Sequence, residues 1–154
     1  MPELEEMALP AVKQLLQSEE DQLYEELAIR NKAILKDPGL AGSFSPEASY
    51  DTRLMGPMDD LRDFGRIFFS RLNQDGYNLV CGSELADSQE REKVTNAFGF
   101  GKTEVAAAIA AVMVAHFAIA PAIAAVVAAL IVKLFFRNAH EAMCEVWKHK
   151  LPRS

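Results

Sequence analysis

The chain has 154 residues, half of them apolar and a quarter charged, with a formal net charge of −6. That length supports a hydrophobic core without disulfide or metal staples, and the composition excludes a disordered or low-complexity chain. An acidic chain lacks the clustered Lys and Arg that phosphate-backbone binding requires, so nucleic acid is not an expected partner.

Charge is divided unevenly along the chain. Residues 1–104 hold 11 Lys/Arg against 20 Asp/Glu, and residues 105–154 hold 5 against 2. The basic ending "WKHKLPRS" is too short to reverse the acidic body. The opening "MPELEEMALP" lacks the basic and apolar regions of a secretory signal. Two cysteines make no disulfide framework by number, so Cys81 and Cys144 are expected as reduced thiols in a cytoplasmic protein.

In chain order, residues 10–36 begin the helical pattern. Pro10 suits a first helical turn, and Val12, Leu15, Leu16, Leu23, Leu27 and Ile34 recur at helical spacing. Glu25, Glu26, Arg30 and Lys32 fall between them as a polar face. One long helix, or two broken near Ser18, fits this pattern. "DPGL" stops it, because proline disfavours helix in the residue before it. Residues 37–57 hold three prolines and three glycines with no apolar period, which reads as a long surface loop pinned by Phe44, Tyr50 and Leu54.

A helix follows in "PMDDLRDFGRIFFSRLNQDGY", with Asp59 and Asp60 at the dipole-favoured N-terminus. Leu61, Phe64, Phe68 and Leu72 form its apolar stripe, and "QDGY" supplies a glycine stop. Asp59, Asp60 and Asp63 with Arg62 and Arg66 read as a solvated face of weak pairs. "NLVCG" is too short to assign to strand or turn. "DSQEREKVTNAFG" reads as a short polar helix capped by Asp87 or Ser88 and stopped at Gly99.

"NAFGFGKTEVAAA" has the look of a phosphate-binding P-loop, but the pattern G-x-x-x-x-G-K-[ST] needs glycine where Asn96 stands. "REKVT" upstream is too polar for the buried strand that such a loop follows. Gly99 and Gly101 make better sense as a turn between helices, with Thr103 near the next cap. Nucleotide is therefore not an expected partner.

Residues 105–132 contain 28 residues without a formal charge, 13 of them alanine. A run of that length raises a transmembrane reading. Alanine adds little transfer energy, His116 is polar, and Pro121 sits where a second helix would begin. The resulting hairpin spans about 103–119 and 121–150. Its second arm continues into an amphipathic end, with Lys133, Arg137, Glu141 and Lys148 on one side and Leu134, Phe135, Ala142, Met143, Val146 and Trp147 on the other.

His140 and Cys144 lie one helical turn apart, with Cys81, His116 or His149 as further candidate ligands. Two ligands do not make a structural zinc site, so a surface histidine and a half-buried thiol are expected. Neither a catalytic nor a cofactor-binding residue is assigned, and no metal or cofactor is expected. Cys81 beside a histidine lacks any flanking nucleophile signature.

These readings define an all-α compact bundle of five or six helices around the alanine-rich hairpin. One domain over 1–154 is expected: an N-terminal helical region at 1–36, a loop at 37–57, middle helices at 58–98, and the hairpin with its C-terminal helix at 103–150. The expected function is non-catalytic protein–protein interaction, as an adaptor, accessory subunit or homo-oligomer, with the amphipathic C-terminal helix and the 37–57 loop as first surfaces. The competing function is membrane activity, in which 105–132 inserts while Lys133 and Arg137 stay at the headgroups. A small enzyme with an unrecognised site stands third. Candidate interaction or membrane-facing residues are Phe98, Phe100, Lys133, Arg137, Trp147 and Lys148, with Phe98 and Phe100 as an exposed aromatic tip.

Overall fold

The computed structural model describes residues 3–82 and 89–151. It is all-helical: α1 (Glu3–Leu15), α2 (Glu20–Lys36), a 3-10 turn (Pro38–Gly42), α3 (Thr52–Met55), α4 (Met58–Val80), α5 (Gln89–Ala97), α6 (Lys102–Phe117), α7 (Pro121–Phe135) and α8 (His140–Lys150). The described residues hold eight helices, against about five or six expected, because the first segment takes the divided form, the loop contains one turn of helix, and the last arm breaks.

The α6–α7 hairpin is the centre. Every residue from Val105 to Met113 and from Ala122 to Val132 is buried, so both helices are covered on all sides. Alanine at most contact positions lets the backbones approach closely. α1 packs across both arms, α2 lies on α7, α5 on α6, and α8 against α4 and α7. The hairpin turn is sharp: Ala118 adopts the left-handed conformation at φ 54°, Ile119 N–H donates to the Met113 carbonyl at 3.4 Å, and Pro121 opens α7.

α1 starts before Pro10 and runs through it, rather than starting at it. The proline forfeits one helical hydrogen bond, and the buried stripe Ala8, Ala11, Val12 and Leu15 offsets the loss. The chain does break at Ser18. α2 then restarts where the Glu19 N–H donates to Gln22 Oε1 at 2.9 Å.

Arg30 departs from the expected polar face of α2. It is buried, with its Nη1 donating to the Phe44 carbonyl at 2.9 Å and the Ala122 carbonyl at 2.8 Å, and its Nε to Glu26 at 2.7 Å. The 37–57 loop is thereby fastened to the start of α7. Phe44 is buried and the Tyr50 hydroxyl donates to the Gly56 carbonyl at 2.6 Å. Leu54, expected as a third pin, points to solvent instead.

α4 differs twice from expectation. Its buried face is Leu61, Gly65, Phe69, Asn73, Gly76, Leu79 and Val80, while Phe64 is exposed. Gly65 lies against α2 so closely that a Cβ there would meet the Tyr24 carbonyl oxygen at 2.0 Å. Arg62–Glu25 at 2.6 Å and Arg66–Asp21 at 2.8 Å bind the same two helices together. In that seam, burial and the neighbouring Glu20 carboxylate push the Tyr24 phenol up to about 12. The expected stop at "QDGY" is absent because Gly76 packs against Ile131 and Trp147 within the helix. "NLV" is consequently the end of α4.

α5 ends at Ala97 and α6 begins at Lys102, so the glycine-rich stretch is a joint between two helices, with Gly101 at φ 128°. The expected caps Asp87 and Ser88 lie outside the described residues. The arm expected to run unbroken over 121–150 bends by 93° between α7 and α8.

Candidate functional site

Two places gather side chains whose arrangement exceeds what packing requires. The first lies where α4 ends and α8 begins. Cys81 follows the last turn of α4, and His140 and Cys144 occupy the first turns of α8. The two cysteines, expected as free thiols, form a disulfide with Cα atoms 5.7 Å apart across 63 positions of sequence. His140 Nε2 stands 3.5 Å from Cys144 Sγ and 2.8 Å from the Val80 carbonyl oxygen. Phe98 presses its ring against His140 edge-on at 5.7 Å and stacks on Phe136 at 5.9 Å. Arg91, from α5, donates to the carbonyls of Leu79 and Gly82. Desolvation lowers its pKa from the ordinary arginine value.

The second place is the surface shared by α2, α3 and α4. Lys32, Ala33, Leu35, Lys36, Leu54 and Met55 enclose a hollow of about 370 Å³. Leu35 is 75 % exposed and Leu54 55 %. Lys32 also reaches over the ring of Phe64, 5.4 Å from its centroid. Phe64 and Ile67, one turn apart on α4, are themselves exposed. A larger adjoining groove shares Ala33, Lys36, Leu54 and Met55 and carries Arg53 with Asp37, Glu47 and Asp51. Solvent covers large apolar side chains here, and the hollow itself is ringed only by positive charge.

A further hollow of about 510 Å³ lies between α1 and α2, lined by Gln14, Gln22, Glu25, Glu26 and Arg30 among others. Its carboxylates are already neutralised: Glu25 accepts from Arg62 and Glu26 from Arg30. It offers little free charge for chemistry.

The residues expected to face a partner or membrane scatter over the molecule. Phe98 packs against the core, leaving Phe100 alone at the α5–α6 turn, 79 % exposed. Trp147 is fully buried, stacked on Phe135 at 5.1 Å, with its indole N–H donating to Asn73 Oδ1 at 2.8 Å. Its place on the apolar side of an amphipathic helix is explained by the core it fills. Lys133 donates to the Leu16 carbonyl at 3.1 Å, closing the end of α1. Arg137 and Lys148 are exposed on separate elements, the α7–α8 joint and α8. The acidic residues of α4 are not merely a solvated face, since Arg62 and Arg66 reach α2 as well as Asp59 and Asp63.

Sequence reasoning missed Lys32, Leu35 and Lys36 as surface residues that belong together. A signal was present: Ile34 and Leu35 are adjacent apolar residues on a helix with one buried face, so one of them must point outward. His140 and Cys144 were visible as a one-turn pair, but Cys81 joins them only through the packing of α4 on α8.

Compared with known proteins, the chain matches no family model, no curated protein and no solved structure.

Proposed function

We propose that the protein acts by binding another protein, and that the α2–α3–α4 surface receives an acidic amphipathic helix of that partner. The observation that carries this reading is the pairing of exposed Leu35, Leu54 and Phe64 with Lys32 and Lys36 on a chain of net charge −6. Isolated exposed apolar residues are ordinary, whereas a clustered set beside a hollow favours a docking role. The lysines give such a set a preferred partner charge and guide approach. Leu35 and Leu54 would sit between successive apolar side chains of the incoming helix, and Lys32 and Lys36 would meet its flanking carboxylates.

The test uses a synthetic amphipathic helix with leucines on one face and glutamates beside them, titrated into the isotopically labelled full chain. Saturable amide shifts at residues 32–36, 52–55 and 64–67, lost in a Leu35→Lys, Leu54→Lys variant, support the assignment. A peptide with lysine in place of glutamate should bind at least tenfold more weakly. Equal binding of both peptides, or shifts elsewhere, would remove the charge-matched helix as occupant. Concentration-dependent dimerisation through the same residues would replace it with a second copy of the chain.

The membrane reading has one observation behind it: α6 from Val105 to Met113 and α7 from Ala122 to Val132 are apolar and buried on every side, and the turn between them holds no Asp, Glu, Lys or Arg. Helix length weighs against it. α6 spans 16 residues, about 24 Å, against a hydrocarbon layer of about 30 Å. Among the described residues no single helix is long and apolar enough to cross a membrane. Dye release from anionic liposomes by the folded protein would favour insertion over docking.

A further inference from the structure

We propose that Cys81, His140 and Cys144 form a thiol-gated metal site, closed while the disulfide is intact and open to a zinc-class divalent cation after its reduction. The two sulfurs and His140 Nε2 all lie within 4.8 Å of one another. On a tetrahedral zinc ion, with bonds of about 2.3 Å to sulfur and about 2.0 Å to nitrogen, a thiolate and an imidazole stand roughly 3.6 Å apart. Cys144 Sγ and His140 Nε2 already stand at 3.5 Å. Two thiolates on the same ion need a separation of about 3.8 Å. Rotation of the cysteine side chains supplies it without backbone movement, because the Cα atoms are only 5.7 Å apart.

His140, one turn before Cys144, places its Nε2 within reach of both that sulfur, at 3.5 Å, and the Val80 carbonyl oxygen, at 2.8 Å. Phe98 holds that ring from the side, and Phe136 backs Phe98. Coordination through Nε2 places the imidazole proton on Nδ1 and exchanges the Val80 carbonyl contact for a metal bond. Cys81, His140 and Cys144 are all half-buried, which leaves the bond open to a reductant and the fourth metal position open to water.

The chemistry balances with an external dithiol as reductant. It gives up two electrons and two protons, the S–S bond breaks, two S–H groups form, and the dithiol becomes a disulfide. The cation then displaces both thiol protons into solvent and is held by two thiolates and one neutral imidazole.

The test takes the full chain reduced with a phosphine, which with one water breaks the S–S bond into two thiols, takes the water's oxygen to become the phosphine oxide, and offers no competing thiol. After removal of the phosphine without oxygen, cobalt(II) is titrated as a spectroscopic stand-in for zinc. One equivalent should give thiolate-to-cobalt charge transfer and the strong visible bands of a tetrahedral site, bleached on addition of zinc. The oxidised protein should give neither. Cys81→Ser should abolish the charge-transfer signal, and His140→Ala should weaken affinity at least tenfold while the helical circular dichroism is unchanged. Unaltered affinity in His140→Ala, a stoichiometry well below one, or loss of helix on reduction would overturn the site.

Discussion

Arg30 shows how one side chain organises distant segments. Its guanidinium meets Glu26 on its own helix, the Phe44 carbonyl in the loop and the Ala122 carbonyl at the head of α7. Those three bonds use donors in a planar fork that a lysine ammonium cannot reproduce. Arg30→Ala should therefore lower unfolding stability by about 2–4 kcal/mol, and Arg30→Lys should retain less than half of that loss as recovery. Urea denaturation measures both; a lysine variant within experimental error of the original protein would mean that the carbonyl contacts contribute little. Helical spacing placed Arg30 among polar neighbours, and for Lys32 that reading leads to a surface site. For Arg30 it fails, because the spacing carries no information about carbonyls 14 and 92 residues away. The same reason hid the convergence at His140: its pairing with Cys144 is local, while Cys81 arrives from 63 positions upstream.

Elements follow two kinds of signal, and one is far more legible than the other. Proline placed the α6–α7 turn within a residue or two, whereas the apolar period admits a break near Ser18 only as one of two readings. The α7–α8 joint has neither proline nor glycine, only "FRNA", and an uninterrupted helix was the natural reading. α4 fails differently. Counting large apolar side chains selects Phe64, whereas the face actually used is cut from Gly65, Asn73 and Gly76, where α2, Trp147 and Ile131 come closest. Two alanine substitutions separate these contacts. Each gains about 1 kcal/mol of helix propensity. At Gly65 the new methyl would lie 2.0 Å from a backbone oxygen, so α2 and α4 must part. Gly65→Ala should cost more than about 3 kcal/mol or prevent folding. At Gly76 the nearest atom is the end of the Ile131 side chain at 3.1 Å, which can shift. Gly76→Ala should stay within about 1 kcal/mol of the parent. Thermal melts followed by circular dichroism distinguish the two, and equal losses would refute the proposed tight seam.

At the scale of the molecule, the alanine-rich hairpin forms the inner layer and amphipathic helices the outer one. This much was readable: a segment apolar on all faces needs cover, and the Leu23/Leu27 stripe needs something to cover. The disulfide adds a constraint that the helical pattern does not contain. Closing a loop across 63 positions removes chain entropy from the unfolded state worth about 4 kcal/mol. The hairpin and the Arg30 contacts do not depend on it. Reduction should therefore lower the midpoint of thermal unfolding by about 8–16 °C while leaving the helical spectrum intact at 25 °C. Unfolding on reduction at 25 °C would mean that the inner layer is weaker than its burial implies. The exposed α2–α3–α4 surface is only half readable: the 37–57 loop is expected as a surface but with Leu54 pinned inward, and the alignment of Leu54 with Lys32 and Leu35 arises from how the loop returns to α2.

With Cys81 and Cys144 joined, α5, α6, α7 and the start of α8 belong to a covalent circle, and α1 to α4 form a tail attached to it. The two parts answer differently to a protease. A cut after exposed Arg53 severs the tail, and residues 1–53 leave in denaturant with or without a reductant. A cut after exposed Arg137 opens the circle yet frees nothing: the chain gains one water, keeps all its atoms, and migrates as one species until the sulfur bond is broken. Residues 138–144 and beyond then remain chemically attached to α4, so the inner layer can be nicked at its edge without being dismembered.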